Sequence, residues 1–199
     1  MSFIVIEGLD GSGKTTQLQL LAQKLEGALL TREPTDNPIG SLCRRSFAGD
    51  IALGRRALIL SLIADRIEHV EKCIRPALES GQIVICDRYY LSNMAYQGGE
   101  GFSVEEIYGL NKQFFVPSPD LCIYLDISPF KALERIRERR GEAAVFDNLK
   151  SLETISANYN AAIEFLKAGG ENIVTVSADK ERESLGDEIF GLINALQSK

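Results

Sequence analysis

Positive charge is in short supply. The chain has 199 residues, with 22 Lys and Arg against 28 Asp and Glu, for a net charge of −6. That balance argues against a nucleic-acid-binding surface as the main partner, although a local basic cluster can still hold small anions. Cys43, Cys73, Cys86 and Cys122 form no C-x-x-C pair and no zinc spacing. Cys86 and Cys122 sit inside apolar runs, so the expectation is buried free thiols in a reducing compartment and not metal ligands. No run reaches about 18 consecutive apolar residues, which excludes a helical membrane span on this pattern. The N-terminus lacks the basic and apolar regions of a secretory leader. Repeats, low-complexity tracts and a linker are missing as well. What is left is the expectation of a soluble cytoplasmic protein with one domain over 1–199, whose 45% hydrophobic content supports a sizeable core.

What is present is an alternation. Short apolar runs at Phe3–Ile6, Ala28–Leu30, Ile83–Cys86, Leu121–Leu125 and Ile173–Val176 are bounded by Gly, Pro, Asp or polar residues. Such runs read as strands buried on both faces, the pattern of a parallel sheet. Between them lie segments with helical spacing: Thr15–Glu26, Leu53–Leu78 with Pro76 near its end, Val104–Phe115, Phe130–Arg140, Leu149–Lys167 and Glu181–Leu196. Right-handed β-α-β units and an α/β, three-layer α/β/α domain with a five-stranded parallel sheet follow. Gly98-Gly99 and Gly169-Gly170 read as turns.

The first strand runs into Gly8-Leu9-Asp10-Gly11-Ser12-Gly13-Lys14-Thr15, a complete G-x-x-x-x-G-K-[ST] phosphate loop. Glycines let the backbone wrap round phosphate oxygens. Successive N–H groups and the start of the following helix supply partial positive charge. Lys14 reaches the β- and γ-phosphates, and the Thr15 hydroxyl can ligate Mg2+. The loop by itself does not choose between a kinase, a GTPase switch and an ATPase motor. There is no N-K-x-D base-reading motif and no D-x-x-G switch outside the loop, and the chain is short for a motor.

Other residues gather at the same crevice. Asp87-Arg88-Tyr89 follows the third strand, where a carboxylate can orient Mg2+ and an arginine can grip phosphate; a strand-end ion pair is the plainer alternative. Arg32-Glu33-Pro34 follows the second strand, and Pro34 holds Glu33 extended. Arg66 lies among Leu60, Leu62, Ile63, Ala64 and Ile67, so it needs an anionic partner, either a bound phosphate or a neighbouring carboxylate. Arg135, Arg137, Arg139 and Arg140 crowd the end of one helix. They make either a solvated basic face or an arginine-bearing lid at about 135–147 that closes over the transferring phosphoryl group.

Taken in order, these residues resemble the thymidylate kinase family of P-loop nucleoside monophosphate kinases. The resemblance rests on Ile4–Thr16, Thr31-Arg32-Glu33-Pro34, Ala64-Asp65-Arg66, Asp87-Arg88-Tyr89, Ser92-Asn93, Ala95-Tyr96-Gln97-Gly98 and Pro119-Asp120 with Tyr124-Leu125-Asp126. It implies phosphorylation of dTMP to dTDP by ATP with Mg2+, in the supply of dTTP, by a homodimer. ATP would be held by Gly8, Leu9, Asp10, Gly11, Ser12, Gly13, Lys14, Thr15 and Thr16, and the metal by Thr15 and Asp87. Arg66 and Arg88 would hold the acceptor phosphate, and Asp10 would lie near the deoxyribose 3′-hydroxyl. Glu33, Asn93, Tyr96 and Gln97 would line the pocket, with Tyr96 excluding a ribose hydroxyl. Family members carry an arginine either inside the phosphate loop or on the lid; this loop has none, so the resemblance implies that the lid supplies it, with Arg135 and Arg139 first in line and Arg137 behind.

Two positions depart from the family pattern. Leu62 stands where a phenylalanine usually stacks on thymine, and Val145-Phe146-Asp147 replaces a lid-ending R-F/I-E. Leu62 points to another deoxynucleoside monophosphate as the alternative acceptor. A nucleotide-dependent switch without phosphoryl transfer is the alternative from another class.

Overall fold

The computed structural model describes residues 2–99, 101–140 and 149–198. The lid expectation therefore falls in part, at 141–147, outside the described residues. Five strands, β1 Ser2–Gly8, β2 Leu29–Arg32, β3 Ile83–Asp87, β4 Leu121–Asp126 and β5 Ile173–Ser177, form one parallel sheet in the order β2-β3-β1-β4-β5. β1 lies at the centre and all seven of its residues are buried, which is why its sequence shows a continuous apolar run with no alternation. The chain moves from β1 outward to β2, returns to β3, and then crosses to β4 and β5. This reversal opens a crevice at the carboxyl ends of β1 and β3, the usual ligand position in such a sheet.

The helices are α1 Lys14–Lys24, α2 Pro38–Phe47, α3 Arg55–His69, α4 Arg75–Glu79, α5 Tyr90–Gln97, α6 Val104–Gln113, α7 Pro129–Arg140, α8 Leu149–Ala168 and α9 Arg182–Gln197. α1 and α9 pack together over one side of the sheet, while α5 packs with α6 and α8. One hydrophobic cluster runs through β1, β3, β4 and β5, from Phe3 to Ile193, with Leu29 and Leu30 of β2 packed against it. No helix among the described residues is long and apolar enough to cross a membrane.

Three expectations need correcting. The helix expected over Leu53–Leu78 is divided: a π-helical turn at Val70–Ile74 joins α3 to α4. Pro76 has no N–H and crowds the carbonyl four residues before it, and a wider turn just upstream absorbs that loss. The second strand begins at Leu29 and continues to Arg32, because its polar end pairs with Cys86 and Asp87 of β3. Two helices were not anticipated. α2 does carry a start signal, since the Asn37 side chain accepts from the Gly40 N–H at 2.8 Å and Pro38 follows at the first helical position. α5 lacks one: seven of its eight residues are buried, so it has no polar face to set a period.

Candidate functional site

β1 delivers the chain into the phosphate loop and α1 begins at Lys14. Gly11 and Gly13 both take positive φ, 85° and 96°. A Cβ on Gly11 would come to 2.5 Å from the Ala132 carbonyl oxygen, so this glycine lets α7 close against the loop. Lys14 is buried, and its Nζ donates to the carbonyl oxygens of Gly8 and Leu9 at 2.9 Å each. Burial lowers its pKa to about 8, assisted by the charge of Arg88 and opposed by Asp87, Asp10 and Glu7. Leu9 and Ser12 are fully buried, Thr15 is exposed and Thr16 half-buried. The Ser12 hydroxyl has no hydrogen-bond partner among the described residues.

Arg88 follows β3 with φ of 70°, a strained value for a residue bearing a side chain. That turn aims the guanidinium across the crevice. Nη2 donates to Asp10 Oδ1 at 2.5 Å and to the Tyr96 hydroxyl at 3.3 Å, and Nη1 donates to Ser92 Oγ at 2.9 Å. The guanidinium also sits 4.9 Å from the centre of the Tyr96 ring. The Tyr96 hydroxyl in turn accepts from the Asp10 N–H at 3.2 Å. Arg88, Asp10 and Tyr96 are thus brought together as the sequence led one to expect.

Beneath them is a buried node that the sequence reading missed. Glu7 is fully buried, and Oε1 accepts from the backbone N–H groups of Tyr89 and Ser92, at 2.8 and 3.0 Å. Oε2 accepts from Ser92 Oγ at 2.5 Å and from the Tyr159 hydroxyl at 3.2 Å. Tyr159, on α8, also lies 3.3 Å from the Gly8 carbonyl and 3.4 Å from Arg88 Nη1. Burial pushes the Glu7 carboxyl above its ordinary value, while the Ser92 hydroxyl and the Arg88 charge pull it back. A glutamate inside an otherwise apolar strand was the available signal.

Arg66 resolves differently from Arg88. It is 2% exposed, and its Nε and Nη2 both lie 2.8 Å from Glu33 Oε2. Nη1 donates to Asn111 Oδ1 at 2.8 Å. The neighbouring carboxylate, one of the two partners left open by the sequence, is in place. His69 Nδ1 lies 3.1 Å from Glu33 Oε1, and its Nε2 lies 2.7 Å from Thr31 Oγ1. The Glu33, His69 and Cys86 donor atoms fall within 4.8 Å of one another. Each is already engaged, Cys86 Sγ with the Arg88 carbonyl at 3.0 Å, so the group forms a hydrogen-bonded wall. The four cysteines are free, and Cys43, Cys86 and Cys122 are buried.

Two cavities meet these residues. One, of about 800 Å3, is lined by Asp10, Glu33, Leu62, Arg66, Arg88, Asn93, Tyr96 and Gln97, together with Arg44, Ser46 and Phe47 of α2 and Ala48 and Gly49 just after it. That wall was missed because α2 was missed. Asn93 is buried; its Nδ2 donates to Gln97 Oε1 at 3.2 Å, and its Oδ1 has no partner among the described residues. The other cavity, of about 580 Å3, is lined by Thr15, Thr31, Arg32, Asp36, Lys72 and Asp87 among others. Asp87 Oδ1 is buried without a hydrogen-bond partner among the described residues. Thr15 and Asp87 line the same space, and a hydroxyl beside a carboxylate suits a hard cation such as Mg2+.

The arginine cluster is only partly placed. Arg135 Nη2 donates to the Ala178 carbonyl at 3.1 Å, which engages one of its donors away from both cavities. Arg137 and Arg139 are exposed on the last turns of α7.

Comparison with known proteins shows likeness over nearly the whole chain. Residues 6–189 match the family model described as thymidylate kinase. A probable thymidylate kinase of Pyrococcus abyssi is 41% identical over 96% of this chain and 95% of its own length. One of Thermococcus kodakarensis is 36% identical over 98% of each chain. A thymidylate kinase of Desulfotalea psychrophila is 41% identical over 79% of this chain and 80% of its own.

Proposed function

The chain belongs to the thymidylate kinase family, and we propose that it phosphorylates dTMP to dTDP with ATP and Mg2+. The observation that carries this reading is the 800 Å3 cavity beside the phosphate loop, with Arg88 and Asp10 at one part of its wall and Asn93 at another. A phosphate-binding switch has no use for a second site of that kind. Asn93 lines this cavity, and its side-chain amide has the chemistry to pair with the edge of a base. Tyr96, fixed by Asp10 and Arg88, would crowd an added 2′-hydroxyl on the bound sugar.

The acceptor phosphate is ionised near pH 7, so no general base is required. One of its oxygens attacks the γ-phosphorus in line, the bond to the β-phosphate oxygen breaks, and ADP leaves with those electrons. Catalysis is then positioning and charge compensation. The loop N–H groups and Lys14 hold the ATP phosphates; Lys14 exchanges the Gly8 and Leu9 carbonyls for phosphate oxygens. Arg88 grips the acceptor phosphate. Arg66, already neutralised by Glu33, offers the pocket fixed N–H groups and little net charge. Thr15 and Asp87 would hold Mg2+, which supplies charge neutralisation on the phosphates. Arg139 fits the lid role better than Arg135, whose guanidinium is engaged by Ala178. A lid within 135–147, one domain, a homodimer and a cytoplasmic setting belong to the same reading. It is supported by the single core and the free thiols.

The test is a panel of deoxy- and ribonucleoside monophosphates incubated with ATP and Mg2+. dTMP should give the highest kcat/KM. A preference for another deoxynucleotide, the reading that Leu62 favours, would replace dTMP as the acceptor. ATP binding with no turnover of any monophosphate would remove the kinase assignment.

A further inference from the structure

Of the aromatic side chains lining the acceptor cavity, two have no ring face to give. Tyr89 is 1% exposed, with Arg66 5.1 Å from its centroid and the rings of Phe3 and Tyr90 at 5.1 and 4.9 Å. Tyr96 has the Arg88 guanidinium over its face and Tyr159 at its edge. Phe47 is the exception. It is the last residue of α2, it lines the same cavity as Leu62 and Asn93, and it is 53% exposed with no aromatic or cationic partner among the described residues. A large apolar ring left half in water at the rim of a cavity gains by being covered, and a flat base offers the matching surface.

We propose that Phe47 is the residue that stacks on the acceptor base, with Leu62, 7% exposed in the same cavity, supplying only aliphatic packing. The proposal rests on the kinase reading above and names its specificity contact. α2 ends at Phe47, and Ala48 and Gly49, with φ of 81° at the glycine, follow it along the cavity wall. The ring therefore sits on a helix end with a turn behind it, placed to settle onto a base once the sugar and phosphate are held by Tyr96 and Arg88.

The chain contains no tryptophan, so Phe47→Trp introduces a single indole reporter. Titration with the monophosphate that the wild-type protein turns over best should quench its emission, with a midpoint matching the KM for that acceptor. Phe47→Ala should raise the acceptor KM by roughly tenfold, the size of one lost base–aromatic stack. Its kcat and its KM for ATP should stay within about twofold. Phe47→Leu combined with Leu62→Phe should recover most of that loss by moving the ring to the other wall. An acceptor KM unchanged in Phe47→Ala, or indole emission unmoved at saturating acceptor, overturns the proposal. So does a change in sedimentation without a change in KM, which would make Phe47 an interface residue between copies of the chain. If wild-type protein turns over no monophosphate, the kinase reading falls and this inference falls with it. A working wild type with insensitive Phe47 variants sinks the inference alone.

Discussion

Two arginines of the acceptor cavity have the same chemistry and different circumstances. Arg66 is a buried, paired ion, and removing it leaves the Glu33 carboxylate without its counter-charge in the interior. Arg66→Ala should therefore cost about 3–5 kcal/mol of stability, read as a large drop in Tm. Arg88 is partly exposed, its ion-pair partner Asp10 more so, and only its Nη1 reaches down to the buried Ser92 and Tyr159. Arg88→Ala should leave Tm within a few degrees and raise the dTMP KM by roughly a hundredfold, the cost of a lost charge-assisted contact. Equal Tm losses in the two variants would contradict the distinction. Lys14 gives a pH signature. Its pKa of about 8 in the ligand-free protein means that it is partly neutral at pH 8. Bound phosphates favour the charged form and raise that pKa, so ATP binding near pH 8 takes up protons. Calorimetry at pH 8 in buffers of different ionisation enthalpy should detect the uptake in wild-type protein, and Lys14→Met should show none.

At the scale of the element, the decisive one is α5, which carries Ser92, Asn93, Tyr96 and Gln97 into the pocket. Neither end is left to itself. Glu7 accepts the Tyr89 and Ser92 N–H groups at its start, as a capping carboxylate does. At its other end Arg55 donates to the Gln97 and Gly98 carbonyls, and Asn158 Nδ2 donates to those of Ala95 and Gly98. Tyr159, next to Asn158 on α8, reaches Glu7, Ser92 and Gly8 at the first end. Tyr159→Phe removes one hydroxyl and no packing. It should lower Tm by a few degrees, roughly 1 kcal/mol for a buried hydrogen bond, and raise the dTMP KM several-fold by loosening α5. Hydrogen exchange at the amides of α5 should quicken in the same variant; unchanged exchange with an unchanged KM would show that the node is only packing. The helix was hard to read because its sequence, Tyr-Leu-Ser-Asn-Met-Ala-Tyr-Gln, has no exposed face, and its caps come from residues far along the chain.

At the scale of the molecule, one sheet and one continuous hydrophobic cluster join both ends of the chain, from β1 to α9. Thermal unfolding should be a single cooperative transition, shifted upward by ATP and dTMP as ligands of the native state. Two resolved calorimetric transitions would contradict the single-domain reading. The sequence by itself determined the parallel sheet, because strands buried on both faces must be apolar throughout. It also determined the phosphate loop, because its glycines and Lys14 act through local backbone geometry over eight adjacent residues. The resemblance to the thymidylate kinase family, and not any local pattern, grouped Asp10, Arg88, Asn93, Tyr96 and Gln97 at one site. Only the tertiary structure showed that Arg66 pairs with Glu33, that Glu7 and Tyr159 form a node under Arg88, and that the end of α2 walls the larger cavity with Phe47. Those outcomes depend on pairs separated by 33, 152 and more than a dozen positions, respectively. Charge neutralisation and burial are settled by whichever group lies nearest in space, and no local pattern in the chain records that distance.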